Sequence, residues 1–327
     1  MRWSFRSRGA GAVLAATLLL WLCNAPLLCA QGYPSRPLRI VTSEPGGIAD
    51  LTARLIAQGL GQALLQPVVV DNRGGGSGVV GIDIVARAPA DGYTLIVFSP
   101  SLWTLPLIQH TRYDTLRDFA PVTLAVTAPN ILLVHPSFPA TSVQGLIALV
   151  RAKPGEYNYA AGSIGAASHL SGELFKVMAG VNIVRVPFRG TGPGLNALLG
   201  AQVQMMFAGA GSAAAHVLAG RLRALAVTSA QPSALFPALP TIASSGLPGY
   251  ELETNTGMFA PAATPRPIIE RLQAEIARTL HQPSLKQKLA AAGIEPVAST
   301  PAEFTAKVKA EIVRLGRVVQ EAGIRAD

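Results

Sequence analysis

Three glycines in the stretch DNRGGGSGVVG, Gly76, Gly78 and Gly81, have the spacing G-x-G-x-x-G of a dinucleotide-binding turn. In such turns glycine lets the backbone approach a pyrophosphate at the N-terminus of a helix. Here the turn follows the second predicted strand rather than the first, and no acidic residue lies about twenty positions after Gly76 to bind a ribose hydroxyl. The stretch therefore predicts neither NAD nor FAD, and we interpret Asn72 and Arg73 as residues that hold this loop.

Residues that could act as nucleophiles, bases or metal ligands are few and scattered. The nucleophile-elbow pattern G-x-S-x-G does not occur, and no two of the five histidines have the i, i+4 spacing of a helical zinc site. We interpret His169, at the start of a predicted helix, as a structural residue that orients a loop. The sequence thus predicts no catalytic residue, no metal site and no cofactor, so an enzyme is the poorer interpretation.

The first thirty residues have the layout of a secretory signal peptide. Basic residues are followed by an apolar run and then by a small residue before Gln31, and the run from Ala10 to Leu22 is short for a membrane-spanning helix. We expect cleavage after residues 1–30 and export to the periplasm, with lipid modification of Cys29 as the alternative. Both cysteines, Cys23 and Cys29, lie in this signal, so we expect a mature chain without thiols.

Composition bounds the remaining chain. Half of the residues are hydrophobic, and close to three hundred residues would be left after cleavage, a length that suits two lobes better than one. The full chain has a formal net charge of +9, and the predicted signal holds three arginines and no acids, so the remaining chain has 27 − 3 − 18 = +6. Its Lys and Arg residues are scattered without basic runs. This pattern argues against nucleic acid and leaves two interpretations of the charge, a solvated surface or a mild attraction for anionic solutes.

Strand-like and helix-like segments alternate along the chain, which predicts an α/β fold with doubly wound, mostly parallel sheets. The segments form two series. We predict one lobe from residues 31–128 together with 250–327 and a second lobe from residues 129–249. The lobes are expected to be joined by crossing strands near 127–130 and 247–257.

Small-residue loops follow five of the predicted strands: SEPGGIAD, SPSL, AAGSIGAASHL, FRGTGPG and AGAGSAAA. Ligands of doubly wound sheets bind beyond the carboxyl ends of the strands, where free N–H groups at helix N-termini attract anions. Arg189 is the only cation in these loops, and whether it or the backbone N–H groups dominate binding stays open. The candidate ligand-binding residues are Ser43, Gly46, Gly47, Asp50, Ser99, Ser101, Gly162, Ser163, Gly165, Ser168, Arg189, Gly190, Thr191 and Ser212.

Several motifs in order, among them YPSRPLRIVTSEPGGIAD, PADGYTL, SHLSGELFK and VPFRGTGPGLNALLGAQVQMMF, resemble the Bug-type extracytoplasmic solute receptors of tripartite tricarboxylate transporters. The resemblance covers essentially the whole mature chain. It implies a two-lobed periplasmic binding protein fold of the type II-like Venus flytrap kind. It also implies a monomeric receptor, without a cofactor, that traps a small carboxylate between its lobes and delivers it to the permease subunits. A sensing module for a sensor-kinase ectodomain is the alternative, and an exported hydrolase is a weaker one.

The chain departs from the pattern of that family at a few positions. Glu44 stands where a proline is usual, Ala166 and Ala167 stand where Thr or Ser is common, and Ala208 stands where many relatives have Asp. A carboxylate at Glu44 would repel an anionic ligand unless it points outward or meets an amine. Fewer polar anchors predict a less polar ligand body or more water in the cleft.

Overall fold

The computed structural model describes residues 32–43, 45–74, 78–162, 165–188 and 190–325. The predicted signal, 1–30, lies outside the described residues, as do Glu44, Gly76, Ser163 and Arg189. Within the described ranges, no helix is both long and apolar enough to cross a membrane.

The first part of the chain alternates strands and helices, as the sequence predicts. Its elements are β1 (Leu38–Thr42), α1 (Ile48–Leu64), β2 (Val68–Asn72), α2 (Val79–Ala86), β3 (Thr94–Phe98), α3 (Ser101–Ile108) and α4 (Thr115–Asp118). A long strand, β4 (Phe119–Val134), follows and leads into the second series.

The second series and the C-terminal part complete the fold. The second series consists of α5 (Val143–Ala152), β5 (Asn158–Ala161), α6 (Ala167–Ala179), β6 (Val184–Pro187), α7 (Thr191–Leu199), β7 (Met205–Gly209), α8 (Ala210–Leu218) and β8 (Arg223–Val227). The chain then forms β9 (Glu253–Pro261), α9 (Arg266–Leu280), α10 (Pro283–Ala291), β10 (Glu295–Pro296) and α11 (Pro301–Glu321).

Parallel strands flank an antiparallel centre. β1 pairs in parallel with β2 and β3, and β5 pairs in parallel with β6 and β7. Between these groups, β4 and β9 pair with each other and with their neighbours in the antiparallel sense. The prediction of an α/β fold is confirmed, but the expectation of mostly parallel pairing is wrong at the centre. The reason is that the connecting strands β4 and β9 run in opposite directions.

β4 changes its partners in the middle of its length. From Phe119 to Pro129 it pairs with β9, and from Asn130 to Val134 it pairs with β7. One strand therefore belongs to both halves of the sheet, and the change of partner falls within the predicted crossing at 127–130. The lobe bounds drawn from the sequence stay a prediction.

The C-terminal helix α11 packs against both halves of the molecule. Near its start, Phe304 and Val308 belong to the apolar cluster that surrounds Trp103. Further along, Leu315 and Val318 belong to a different cluster, formed mainly by the second series. A capping box starts the helix: Glu303 N donates to Thr300 Oγ1 at 3.2 Å, and Thr300 N donates to Glu303 Oε2 at 2.8 Å. Pro301 followed by Glu303 and an apolar period in the sequence predicts a helix over about Pro301–Glu321, and the structure confirms it.

Candidate functional site

Two cavities lie where helix N-termini from the two halves of the chain meet. The α3–α6 cavity has a volume of about 230 Å³. It is lined by Ser99, Pro100, Ser101, Gly165, Ala166, Ala167, Leu170, Leu252, Glu253, Thr254, Glu311, Arg314 and Leu315. The α1–α8 cavity has a volume of about 220 Å³. It is lined by Gly46, Gly47, Ile48, Leu51, Ala128, Gly209, Ala210, Gly211, Ser212, Ala292, Gly293 and Ile294.

The sequence-predicted ligand residues divide between these cavities. Ser99, Ser101 and Gly165 line the α3–α6 cavity, whereas Gly46, Gly47 and Ser212 line the α1–α8 cavity. Six further candidates line neither of the two cavities: Ser43, Asp50, Gly162, Ser168, Gly190 and Thr191. Ser163 and Arg189 fall outside the described residues. The assignment of these residues to ligand binding stays a prediction.

All four helices that begin at the cavities lack a side-chain cap. Their N-cap residues are Gly47 for α1, Pro100 for α3, Ala166 for α6 and Gly209 for α8. Glycine, proline and alanine carry no side-chain acceptor, so they leave N–H groups of the first turn to other partners. In α3 the N–H groups of Leu102 and Trp103 already donate to the carbonyl oxygens of Ser99 and Pro100. At α1, α6 and α8 a bound anion can take that place, and it is also favoured by the positive end of each helix dipole.

Asp50 holds the loop between β1 and α1. Its side chain is buried, and its Oδ2 accepts a hydrogen bond from Gly46 N at 3.0 Å. Asn72 Nδ2 donates to Asp50 Oδ1 at 2.8 Å and to the carbonyl oxygen of Ser43 at 2.9 Å. Burial opposes ionisation, but the hydrogen bonds from Gly46, Arg54 and Asn72 outweigh it and lower the pKa of Asp50. The carboxylate thus directs its oxygens to protein donors and positions the Gly46–Gly47 backbone.

The loop between β5 and α6 is held in a similar way. Gly162 N donates to Ser168 Oγ at 2.9 Å, and Gly165 N donates to His169 Nδ1 at 3.1 Å. The N–H groups of Gly162 and Gly165 therefore donate inside the loop. The interpretation of His169 as a loop-orienting residue is confirmed.

Electrostatics keep His169 neutral in this loop. Burial lowers the pKa of His169 to about 4, and Arg185 adds to the shift while Glu173 opposes it. A neutral imidazole can accept the Gly165 hydrogen bond through Nδ1, whereas an imidazolium could not. Arg185 Nη2 also donates to the carbonyl oxygen of Gly162 at 3.2 Å. Arg185 therefore contacts this loop. The sequence analysis missed this cation because it lies on strand β6 and not in a loop.

The C-terminal helix supplies a wall of the α3–α6 cavity that no motif indicated. Glu311 is 4% exposed, and its Oε2 accepts from Trp103 Nε1 at 2.7 Å while its Oε1 accepts from Asn255 Nδ2 at 2.5 Å. Burial raises the pKa of Glu311, and Lys307 opposes that shift. The sequence could have singled out Glu311, because it lies in the apolar stripe of α11 between Val308 and Leu315, where a carboxylate is unusual.

The glycine-rich turn of the opening motif serves packing. Gly78 has φ of 88°, and a Cβ there would lie 2.2 Å from Phe98 Cζ. A Cβ on Gly81 would lie 3.2 Å from the carbonyl oxygen of Arg73. α2 therefore packs so close to the sheet that only glycine fits at these two positions. This packing accounts for both glycines, and no bound nucleotide is needed to explain them. In the described ranges there is also no group of three His, Cys, Asp or Glu side chains that could hold a metal ion.

Comparison with known proteins gives a consistent result. The chain matches the family described as tripartite tricarboxylate transporter family receptor over residues 52–324. Protein BugT of Bordetella pertussis is 37% identical over 319 residues, which cover 95% of this chain and 98% of that protein.

Solved structures with bound acids show the same likeness. The R. palustris protein Rpa4515, solved with adipate, has a TM-score of 0.77 and 38% identity, with 90% of this chain and 99% of that chain covered. MatC from Rhodopseudomonas palustris, solved with bound malate, has a TM-score of 0.74 and 31% identity, with 88% of this chain and 100% of that chain covered.

Proposed function

Because the chain belongs to the receptors of the tripartite tricarboxylate transporter family, we propose that it captures a small carboxylated solute between two lobes and delivers it to a permease of that transporter class. The receptor is exported to the periplasm, as the signal-like first thirty residues favour. Binding, closure and release are its whole activity, and the protein does no chemistry on the solute.

The observation that carries this proposal is the set of four uncapped helix N-termini at the two cavities. α1 and α3 come from the first part of the chain, and α6 and α8 come from the second series. In either cavity an anion would meet one helix from each half of the chain, so it would favour the arrangement in which the halves approach. Each helix N-terminus contributes about 0.3–1 kcal/mol, and up to about 2 kcal/mol where the anion is partly buried.

Two further findings support a carboxylate as the anion. Rpa4515 and MatC, which share the fold and about a third of their residues with this chain, were solved with adipate and malate. The loops that end at the uncapped helices are also held by their own side chains, through Asp50 and Asn72 on one side and His169 on the other. Such loops present their backbone to a ligand with little loss of conformational entropy on binding.

Calorimetric titration of the mature protein, beginning at Gln31, with a panel of short mono- and dicarboxylic acids tests the proposal. We expect saturable binding of at least one acid with one site per chain. The absence of binding by every acid, or turnover of an ester or amide by the purified protein, would overturn it. Delivery is tested separately, by uptake of the bound acid in cells that lack either the receptor or its permease.

Export has its own test. The intact mass of protein recovered from the periplasm should correspond to a chain that begins near Gln31. A mass that includes Met1–Ala30, or a diacylglycerol on Cys29, would show that the export signal is not cleaved as we propose.

A further inference from the structure

The two halves of the molecule touch through their backbones at the edge of the α1–α8 cavity. Gly211, the second residue of α8, lies against Ala292 and Gly293, which directly follow α10. A Cβ on Gly211 would lie 2.1 Å from the carbonyl oxygen of Ala292, and a Cβ on Gly293 would lie 2.3 Å from Gly211 N. Because non-bonded heavy atoms pack at about 3.5 Å, neither glycine can be replaced by a larger residue at this spacing.

The two sides of this contact belong to different halves. Ala292 and Ile294 pack in the apolar cluster formed mainly by β1, α1, β4 and α9, whereas Ala210 is fully buried in a cluster formed mainly by the second series. Ile294 N also donates to the carbonyl oxygen of Leu289 at 2.9 Å, which fixes this segment to α10. Each backbone is thus held by its own half, so a side chain at position 211 would displace one half from the other.

A hydrogen bond joins the halves next to this contact. Ser233, which follows β8, is 3% exposed, and its Oγ donates to Glu295 Oε1 at 2.8 Å. Glu295 lies on β10 and pairs with Thr127, close to the point where β4 changes its partners from β9 to β7. The contact therefore lies near a connecting strand, where a small displacement becomes a larger separation further out in the cleft.

The backbone conformation of Gly211 does not call for glycine. Gly211 lies within α8, and helical dihedral angles suit alanine better than glycine. Gly293, by contrast, has φ of 71°, which itself favours glycine. The close approach of Ala292 is thus the feature of the structure that glycine at position 211 permits.

We propose that Gly211 is a positioning residue for solute capture, whose missing side chain lets the halves close to the spacing seen in the structure. This inference rests on the proposed function and adds to it a residue that determines closure. The spacing at Gly211 sets the distance between α1 and α8 across their cavity, since Gly46, Gly47 and the Ala292–Ile294 segment line the same space.

Gly211→Ala tests this role, and Gly61→Ala is the matched control. Gly61 also lies within a helix, but a Cβ there meets only the carbonyl oxygen of Gln66, at an ordinary 3.6 Å. The separation of the halves is measured between spin labels on Gln58→Cys in α1 and Ala215→Cys in α8, both at exposed positions. No native cysteine lies after residue 30, so the labels are specific in the mature protein.

Adipate and malate are the probes, and where neither binds, the acid of the calorimetric panel that binds most tightly replaces them. With saturating acid, the native protein and Gly61→Ala should shift to the shorter label distance, whereas Gly211→Ala should keep the longer one. We expect Gly211→Ala to bind the same acid at least about tenfold more weakly, because apparent affinity falls with the fraction of molecules that can close.

Thermal unfolding without acid separates this role from a structural one. Gly211→Ala should unfold at the temperature of the native protein or above it, because alanine favours the helix. Failure to fold, or a clearly lower unfolding temperature, would show that the contact is needed for the fold and would overturn the inference.

The label distances also distinguish this inference from the proposed function. Native closure and native affinity in Gly211→Ala would overturn the inference and leave the proposed function intact. A short distance in the native protein without acid, absent from Gly211→Ala, would support the inference even if no acid binds. If no acid binds and the native protein shows no shorter distance, both are wrong.

Discussion

The carboxylate of Glu311 accepts a hydrogen bond from the indole N–H of Trp103 at 2.7 Å, across a separation of 208 residues. Trp103 lies in the first turn of α3, two residues after the cavity-lining segment Ser99–Ser101. The C-terminal helix α11 therefore holds the start of α3 in place. Both elements line the α3–α6 cavity, so Glu311 helps to position the residues on its opposite side.

Removal of this indole donor should destabilise the protein. In Trp103→Phe the buried Glu311 oxygen loses its partner, which costs about 1–3 kcal/mol in the free energy of unfolding, in addition to the lost packing. Urea unfolding measures the change. Tyr113→Phe is the matched control, because the buried Tyr113 hydroxyl has no hydrogen-bond partner among the residues that the structure describes, and its removal should cost little. Equal costs for the two variants would show that the Trp103–Glu311 hydrogen bond does not stabilise the fold.

Stability should fall as the pH drops below the usual pKa of histidine. Because the folded pKa of His169 is about 4 rather than 6.5, the unfolded chain takes up the proton first, and His169 favours unfolding increasingly between these values. The full loss is up to about 3 kcal/mol. His169→Asn keeps an acceptor for Gly165 N but does not titrate, so it should remove this part of the slope when unfolding is followed from about pH 7 to about pH 4. A slope identical to that of the native protein would contradict the assignment.

Gly47→Val should weaken ligand binding without a large loss of stability. Gly47 has φ of −85° and ψ of 172°, which a branched residue can adopt, and its side chain would stand at the N-terminus of α1 in the α1–α8 cavity. We expect a loss of more than about tenfold in affinity, which exceeds the effect of truncating one hydroxyl. Calorimetry and thermal unfolding give the two quantities.

Two other glycine substitutions serve as comparisons for Gly47→Val. Gly190→Val should also lower the free energy of unfolding, because Gly190 has φ of 101°, which a branched residue rarely adopts. Gly61→Ala, inside α1, should affect neither affinity nor fold adversely. If Gly47→Val binds the acid as tightly as the native protein does, the proposal that backbone N–H groups hold the ligand is wrong.

Ligand binding should reduce the radius of gyration by a small amount. β4 and β9 connect the two halves, and α11 packs against both, so three elements restrict the motion to a limited rotation. Small-angle scattering with and without a bound acid measures the change. Binding without any compaction would argue against closure around the ligand.

The secondary structure was largely predictable because its signals are local. The sequence predicts a helix over Ala167–Ala179 and another over Pro301–Glu321, and both bounds are those of the structure. It missed α3 and α10. α3 is buried on most of its surface and contains Pro106, so it has no apolar period to detect. The antiparallel pairing of β4 with β9 was also missed, because it joins residues more than a hundred positions apart.

By itself, the sequence determined the fold class, the family and the position of the glycine-rich loops at the ends of strands. These features depend on apolar periodicity, turn residues and motifs, which act over a few neighbouring residues. Only the tertiary structure decided that Asp50 and Ser168 hold loops and that Leu252, Glu311 and Arg314 form a cavity wall. The role of each of these side chains is set by the groups it meets. These contacts form when strands and helices that are distant in sequence pack together, so no local pattern encodes them.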